Sequence, residues 1–578
     1  MSATYRLAFP PPVAAAAPVL DEAQRAVVRH RGGPLLVLAG PGTGKTTTIV
    51  EAVVDRVSEG LAPDRVLVLT FSRRAAAELR ERITARLGVT VATPAAWTFH
   101  AFCYALVRAY GDAQPGSPPV RLLSAPEQDV VVRDLLSGSA ELDTVPWPLQ
   151  LRASLRTRGL AEEVRGVLAR CREVGLEPTG LAQLAAQADR DDWTAVAAFF
   201  AEYLDVLDAL GALDYAELVH RAVSIAGRPD VRADLRARFP VVFVDEYQDT
   251  DPAQEALLGQ LAGDGRNLVV VGDPDQAIYA FRGADVDGLL RFPERFPTAD
   301  RSPAPILSLR TSRRAGTALL SASRAVARRL SLHGLPTAAL REHRELLSAD
   351  SLPAGEVTVR TYPSAGAEAE AVADLLRRAH LETGLPWARM AVLVRSGVRS
   401  IPLLRRVLSA AGVPLEVAGD ELPLAREPGV APLLLALRCA DEPAELTAER
   451  ARALLLSPLV GADPAQLRRL GRALREAERA SLRSQDGPEH LPRSSSELIR
   501  EAVAAPLTLG AVPDTIAAPA QRLGALLDRA RAALAGVDGS PEQALWELWS
   551  GSAWSRRLPA AADRGGAGGR AADRDLDA

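Results

Sequence analysis

The chain has 578 residues, of which 48% are hydrophobic, 24% charged and 4% aromatic, a composition that supports three or four globular domains and excludes a chain that is disordered as a whole. Its net charge of -4 exerts no global pull on nucleic acid, so any such binding must use local basic surface. Cys103, Cys171 and Cys439 lie far apart without a CxxC pair, which excludes a disulfide framework or a cysteine-rich metal module and fits a reduced compartment. No apolar run reaches the roughly 18 residues of a membrane span.

From the N-terminus, Phe9 to Pro18 is apolar but cut by Pro10, Pro11, Pro12 and Pro18, and reads as an unstructured leader. Pro34 to Val54 reads as a strand, a glycine-rich turn and a helix. Val66 to Thr70 is a second buried strand, and Arg73 to Arg86 has helical spacing with Ala76, Leu79 and Ile83 on one face. From about Gly111 to Gly211 the pattern is helical, an insertion after which the core resumes near Leu213. Val241 to Val244 and Leu268 to Val271 are further strands, each followed within two residues by an aspartate. Such alternation implies a parallel sheet with ligands at its C-terminal edge. A second strand and helix region is expected at Val357 to Thr361, Met390 to Arg395 and the amphipathic helix Ile401 to Ala411. After Arg426 the chain is helical again, and Arg564 to Ala578 has little to bury.

Among 68 lysine and arginine residues, Lys45 is the sole lysine. Arginine replaces lysine wherever diffuse positive charge is enough, so the surviving ammonium marks a place where a planar guanidinium would crowd phosphate oxygens. Lys45 lies in Ala39-Gly40-Pro41-Gly42-Thr43-Gly44-Lys45-Thr46, followed by Thr47. The glycines let backbone N–H groups surround a phosphate, the following helix adds its positive end, and Thr46 offers a hydroxyl to Mg2+. Asp245 and Glu246 at the end of a later strand supply the other half of a nucleotide hydrolase: Asp245 for Mg2+, Glu246 for the attacking water.

Together these motifs resemble the UvrD/Rep/PcrA-type DNA helicases of superfamily 1, in ordered blocks from Leu20 to Gly419. Leu20-Asp21-Glu22-Ala23-Gln24 resembles the adenine-reading element, with Gln24 on the base edge. Thr70-Phe71-Ser72-Arg73-Arg74 and Thr98-Phe99-His100-Ala101-Phe102 resemble DNA-contacting motifs. Asp245-Glu246-Tyr247-Gln248-Asp249-Thr250 resembles the acidic signature, and Gly272-Asp273-Pro274-Asp275-Gln276-Ala277-Ile278-Tyr279-Ala280-Phe281-Arg282-Gly283-Ala284 the most specific block. The resemblance implies that Gln276 senses the γ-phosphate, that Arg314 reaches it, and that DNA is held by Phe71, Arg73, Thr98, His100, Tyr279, Phe281 and Arg282. Phe71 is equally readable as core. Where the family usually stacks an aromatic residue on adenine, this chain has Arg313, whose guanidinium plane is a substitute.

The implied fold is α/β: a P-loop NTPase with RecA-like parallel-sheet motor domains and helical insertions. The first motor domain is expected at 1–110 and 213–300 around an insertion at 111–212. The second is expected at 301–425, incomplete, with a helical insertion at 426–563 and a flexible tail at 564–578. Two later motifs of the family are not found, including the second arginine motif, and with no further lysine no Asp/Glu-x-Lys nuclease element follows; the chain reads as the N-terminal part of a longer protein. Thr311-Ser312-Arg313-Arg314 and Leu424-Ala425-Arg426-Glu427-Pro428 look most like actinobacterial helicase-nuclease subunits. Expected ligands are ATP, Mg2+ and single-stranded and duplex DNA, with a second helicase-nuclease subunit as partner, no membrane, and a cytoplasmic, nucleoid-associated location. The implied activity is ATP-dependent 3′ to 5′ translocation and unwinding in repair or recombination. An alternative is a DNA-binding scaffold subunit with weak hydrolysis. A P-loop kinase lacks an acceptor site and lid in this sequence.

Overall fold

The computed structural model describes residues 16–88, 96–111, 120–279, 284–330, 334–416, 429–483, 492–536 and 539–562. They divide into two compact units, parted between Thr358 and Val359. The expected tail at 564–578, the leader before residue 16, and Ala280, Phe281, Arg282 and Gly283 lie outside the described residues.

In the first unit the strands are β1 (Pro34–Ala39), β2 (Val66–Thr70), β3 (Ala96–Thr98), β4 (Arg121–Leu122), β5 (Ala212–Leu213), β6 (Val241–Val244), β7 (Asn267–Gly272), β8 (Ile306–Leu309), β9 (Thr311–Ser312) and β10 (Leu347–Ser348). Six of them form a parallel sheet in the order β3-β2-β6-β7-β1-β8. Leu36 stands opposite Val270 and Ile306, and Val68 opposite Phe243 and Ala96. Successive side chains point to opposite faces. Leu36, Leu38, Leu67, Val242 and Val270 therefore join one core, and Leu35, Val37, Val68, Phe243 and Val269 the other. Burial on both faces explains why these strands read as unbroken apolar runs.

Helices α1 (Glu22–Arg29), α2 (Lys45–Ser58) and α3 (Arg73–Leu87) contribute to the second core, and α4 (Phe99–Tyr110) to the first. Their starts are set by local chemistry. Asp21 and Gln24 form a reciprocal capping box, and the hydroxyls of Ser72 and Thr98 accept from Ala75 N and Ala101 N at 3.1 Å.

The helical insertion folds around Val132, Leu136, Trp147, Phe199 and Phe200. Its neck is closed by the β4–β5 pair and by Tyr203, whose hydroxyl donates to Asp214 Oδ2 at 2.7 Å. Past the expected boundary at 300/301 the chain stays in contact with this sheet. Leu36 to Ala39 pair with Ile306 to Leu309 of β8, and the first unit runs on to Thr358.

Residues 359–578 contain no strand among those described. The strands expected at Val357 to Thr361 and Met390 to Arg395 do not form: both runs are unpaired backbone, with Val359 88% and Leu393 94% exposed. Apolar alternation creates a strand only where a neighbour accepts its ladder and covers its face. The expected helix at Ile401 to Ala411 is present as Gly397–Ala410, packed on Ala365–Thr383 through Ala373 and Leu408. Beyond it, helices from Ala431 to Ala562 enclose Leu454, Leu470, Leu523, Leu527 and Leu548. Among the described residues no helix is long and apolar enough to cross a membrane.

Candidate nucleotide and nucleic-acid site

The phosphate loop Gly40 to Gly44 leaves the C-terminal end of β1 and enters α2. Gly42 (φ 75°) and Gly44 (φ 88°) occupy left-handed backbone, and a Cβ at either would lie within 2.6 Å of a neighbour: Arg314 Cβ or Gln24 Nε2. Both positions require glycine. The start of α2 has no side-chain cap, so its N–H groups are available to an anion. Thr43 Oγ1 donates to Gly40 O at 2.8 Å, while Ser312 Oγ and Arg313 N donate to Pro41 O and Gly42 O at 2.9 and 2.8 Å. The loop is thus held open from outside by β9 and the residue after it.

Lys45 Nζ donates to Glu246 Oε2 at 3.0 Å, joining the loop to the acid pair across 201 residues of sequence. Asp245 continues β6, its N–H donating to Leu69 O at 2.9 Å. Glu246 turns into left-handed backbone (φ 51°), a conformation that costs a non-glycine residue on the order of 1 kcal/mol or more. Burial, and then the charge of Glu246, push the Asp245 carboxyl up to about 7. The buried Asp245 carboxylate at the end of β6 and the Thr46 hydroxyl in the first turn of α2 are oxygen donors of the kind that suits Mg2+. These two residues fit the ion.

Gln248 extends the network. Its Nε2 donates to Glu246 Oε2 at 2.8 Å and its Oε1 accepts from Asp273 N at 2.9 Å. Gln276 Nε2 donates to Asp273 Oδ2. Burial raises Asp273, but the hydrogen bond and charge of His343, helped by Lys45, hold it below the ordinary carboxylate range. Beyond this turn, Tyr279 lies on Phe71 with ring centroids 4.6 Å apart. Phe71 follows the end of β2 directly, and Tyr279 belongs to the segment after β7.

The remaining expected residues are placed as follows. Gln24 Nε2 donates to Thr43 O at 3.1 Å. Arg313 is exposed and bonds Asp21 Oδ2 at 3.0 Å, which sets its guanidinium against the capping box carrying Gln24. Arg314 is exposed, its Cβ beside Gly42. Thr47 accepts from Arg82 Nη2 at 2.7 Å, and Ala39 is fully buried at the end of β1. Thr98 caps α4 and exposed Arg73 opens α3. His100 meets Tyr215 edge-on at 5.2 Å, and burial, then the charge of Arg73, lower its pKa.

Residues 20–297 match the family model described as UvrD/REP helicase N-terminal domain. This chain is UvrD/Rep/PcrA-like. It is 32% identical over 422 residues to ATP-dependent DNA helicase UvrD2 of Mycobacterium tuberculosis (strain ATCC 25618 / H37Rv), covering 70% of this chain and 55% of that protein. It is 30% identical over 309 residues to DNA helicase II of Escherichia coli (strain K12), covering 53% and 40%, and 30% identical over 412 residues to ATP-dependent DNA helicase UvrD1 of Mycobacterium bovis, covering 69% and 50%. The UvrD-like chain spans about half the length of the curated relatives it matches.

Sequence reasoning quoted Gln248 without assigning it, although it sits between the two acids and the Asp273 turn. It also missed a basic surface in the second unit of the UvrD-like chain. Arg452, Arg468, Arg472, Arg475 and Arg479 line a cavity of about 530 Å3 with Glu476, Ser495 and Ser496. Four of these arginines share one face of the helix Pro464–Arg483, and the spacing i, i+4, i+7, i+11 was visible in the sequence. The nitrogen Nε of Arg475 is buried without a hydrogen-bond partner.

Proposed function

We propose that this chain is the ATP-hydrolysing, DNA-gripping portion of a 3′ to 5′ DNA helicase or translocase acting in repair or recombination. The observation that carries the reading is the continuous path from Lys45 through Glu246, Gln248 and Asp273 to the loop bearing Gln276 and Tyr279. ATP phosphates lie against the N–H groups of Gly42 to Thr46 and the ammonium of Lys45, with Gln24 and Arg313 on the base side. Thr46 and Asp245 would hold Mg2+, which would supply positive charge against the phosphates. Lys45 exchanges Glu246 for phosphate oxygen, which releases the Glu246 carboxylate to orient the attacking water. Gln276 responds to the γ-phosphate, and Arg314 stabilises charge developing on it. A shift of Gln276 moves Tyr279 on Phe71, changing the stack that grips single-stranded DNA, where each base contributes about 1–3 kcal/mol without reading sequence.

Arg73, Thr98 and His100 line the same DNA path, the resemblance adds Phe281 and Arg282 from outside the described residues, and the arginine-lined cavity of the second unit takes duplex phosphates. That cavity supplies the local basic surface that a chain of net charge -4 requires. The domain division expected from sequence is part of the proposal, with the first motor domain extended through β8. So are a second helicase-nuclease subunit as partner and a nucleoid-associated place of action.

A second reading is favoured by the unpaired runs at Val357 to Thr361 and Met390 to Arg395. In it the chain binds ATP and DNA but supports another motor and hydrolyses slowly. One experiment separates the two: ATP hydrolysis by the purified chain with and without single-stranded DNA, alongside Lys45→Ala and Glu246→Gln. The motor reading expects stimulation by DNA and a loss of at least about 100-fold in kcat in each variant. DNA binding without stimulated hydrolysis selects the supporting role; unchanged stimulated hydrolysis in Lys45→Ala sinks the assignment of the phosphate loop.

A further inference from the structure

We propose that His343 and Arg344 are positioning residues that clamp the Asp273 to Gln276 turn and so set how DNA-dependent hydrolysis responds to the γ-phosphate. The inference rests on the functional reading above and adds two residues that no motif contains. Both stand at the end of the helix Thr337–Arg344. His343 Nε2 donates to Asp273 Oδ1 at 2.9 Å, with His343 2% and Asp273 1% exposed. Arg344 makes a forked pair with Asp275, Nε to Oδ2 at 2.9 Å and Nη2 to Oδ1 at 2.6 Å. The two ties flank Pro274 and fix the turn from one side. On the other side Gln248 Oε1 receives Asp273 N and Gln276 Nε2 reaches Asp273 Oδ2.

The clamp is also tied to the phosphate loop. Two residues past Arg344, Leu346 packs on Gly40 so closely that a Cβ there would lie 2.7 Å from its Cδ1. Leu347 and Ser348 then pair with Thr311 and Ser312, and Ser312 holds Pro41 O. One short segment thus braces both the loop that holds phosphate and the turn that senses it. Buried charged pairs add little net stability over apolar packing, whereas a fork and a buried hydrogen bond fix geometry. Asp273, Asp275 and His343 bring ligand-type atoms within 4.8 Å of one another. The Arg344 guanidinium already neutralises Asp275, so the group is an ion-pair cluster and not a cation site.

The test compares the wild-type chain with His343→Ala, His343→Gln, Arg344→Ala and the charge-swapped pair Asp275→Arg with Arg344→Asp. The readouts are single-strand-stimulated ATPase, binding of a fluorescent ATP analogue, thermal melting, and hydrogen exchange at the Asp273 amide. In folded His343→Ala and Arg344→Ala, kcat with DNA should fall about tenfold while KM for ATP stays within about threefold, and the Asp273 amide should exchange faster. The charge swap should recover most of the loss, which a generally damaged fold would not. His343→Gln keeps a donor and serves if the alanine variant fails to fold; it should retain slow Asp273 exchange. Unchanged exchange in the folded variants overturns the clamp, and altered exchange with unchanged stimulated kcat overturns its role in coupling. If the wild-type chain shows no stimulated hydrolysis, the motor reading falls, and exchange at Asp273 alone decides whether the clamp exists.

Discussion

Two parts of this molecule carry the same kind of sequence and fold differently. Val66 to Thr70 and Val241 to Val244 lie side by side in a parallel sheet, buried on both faces. Val357 to Thr361 and Met390 to Arg395 are comparable apolar runs, yet they remain unpaired, with Val359 and Leu393 almost wholly exposed. What separates them is the neighbour. In the first unit each strand of the six-stranded sheet finds a ladder partner, and helices contribute to the cores on its two faces. In the second, the nearby helices Ala365–Thr383 and Gly397–Ala410 pack on one another through Ala373 and Leu408, joined by Val413 just beyond them. Apolar alternation states what a segment can do; the partner decides whether it does.

The sharpest way to break this comparison is to remove a side chain from the paired region. Phe243, fully buried in β6 between Val68 and Val269, should cost about 3–5 kcal/mol when changed to alanine, because the central sheet cannot collapse around the cavity. Urea unfolding monitored by circular dichroism measures it. A loss below about 1 kcal/mol would show that the sheet is as loosely supported as the second region.

The same contrast explains what was legible beforehand. Strands β1, β2, β6 and β7 and helix α3 could be read because their residues obey local periodicity and their partners are present. The phosphate loop and the Asp245-Glu246 pair were legible because their chemistry is local in sequence. The Lys45 to Glu246 contact spans 201 residues and followed only from the roles of the two groups. Gln248, His343 and Arg344 were not assigned, since their meaning comes from a turn about 25 and 70 residues away, which no periodicity encodes. The pairing of the short strand Ile306–Leu309 with β1 was not legible for a similar reason, since it joins residues about 270 apart.

Burial in the first unit also makes one charge costly. Asp245, with its pKa raised to about 7 by burial and by Glu246, binds its proton more tightly folded than unfolded. Its contribution to stability is therefore lost as pH rises from about 4 to about 7, and the full penalty is present above that. Asp245→Asn should melt close to wild type at pH 4.5 and gain about 1–2 kcal/mol over it at pH 8 without nucleotide or Mg2+, while losing ATP turnover. Calorimetry at the two pH values checks the sign. A variant less stable than wild type at pH 8 would mean that the sheet end carries no such charge.

The smallest expected effect comes from the unpaired region. Leu393 is 94% exposed and has no strand partner, so Leu393→Ser removes no buried area and leaves no polar group unsatisfied. Surface changes of this kind stay within about ±0.5 kcal/mol, and the melting temperature should hardly move. A loss above about 1 kcal/mol in the isolated chain would mean that Met390 to Arg395 is covered in solution. The difference between the two regions would then lie in degree of packing and not in the presence of a partner. The same substitution also tests aggregation: an unpaired apolar run is a template for pairing with another chain, and Leu393→Ser should reduce self-association by light scattering even where it leaves stability unchanged.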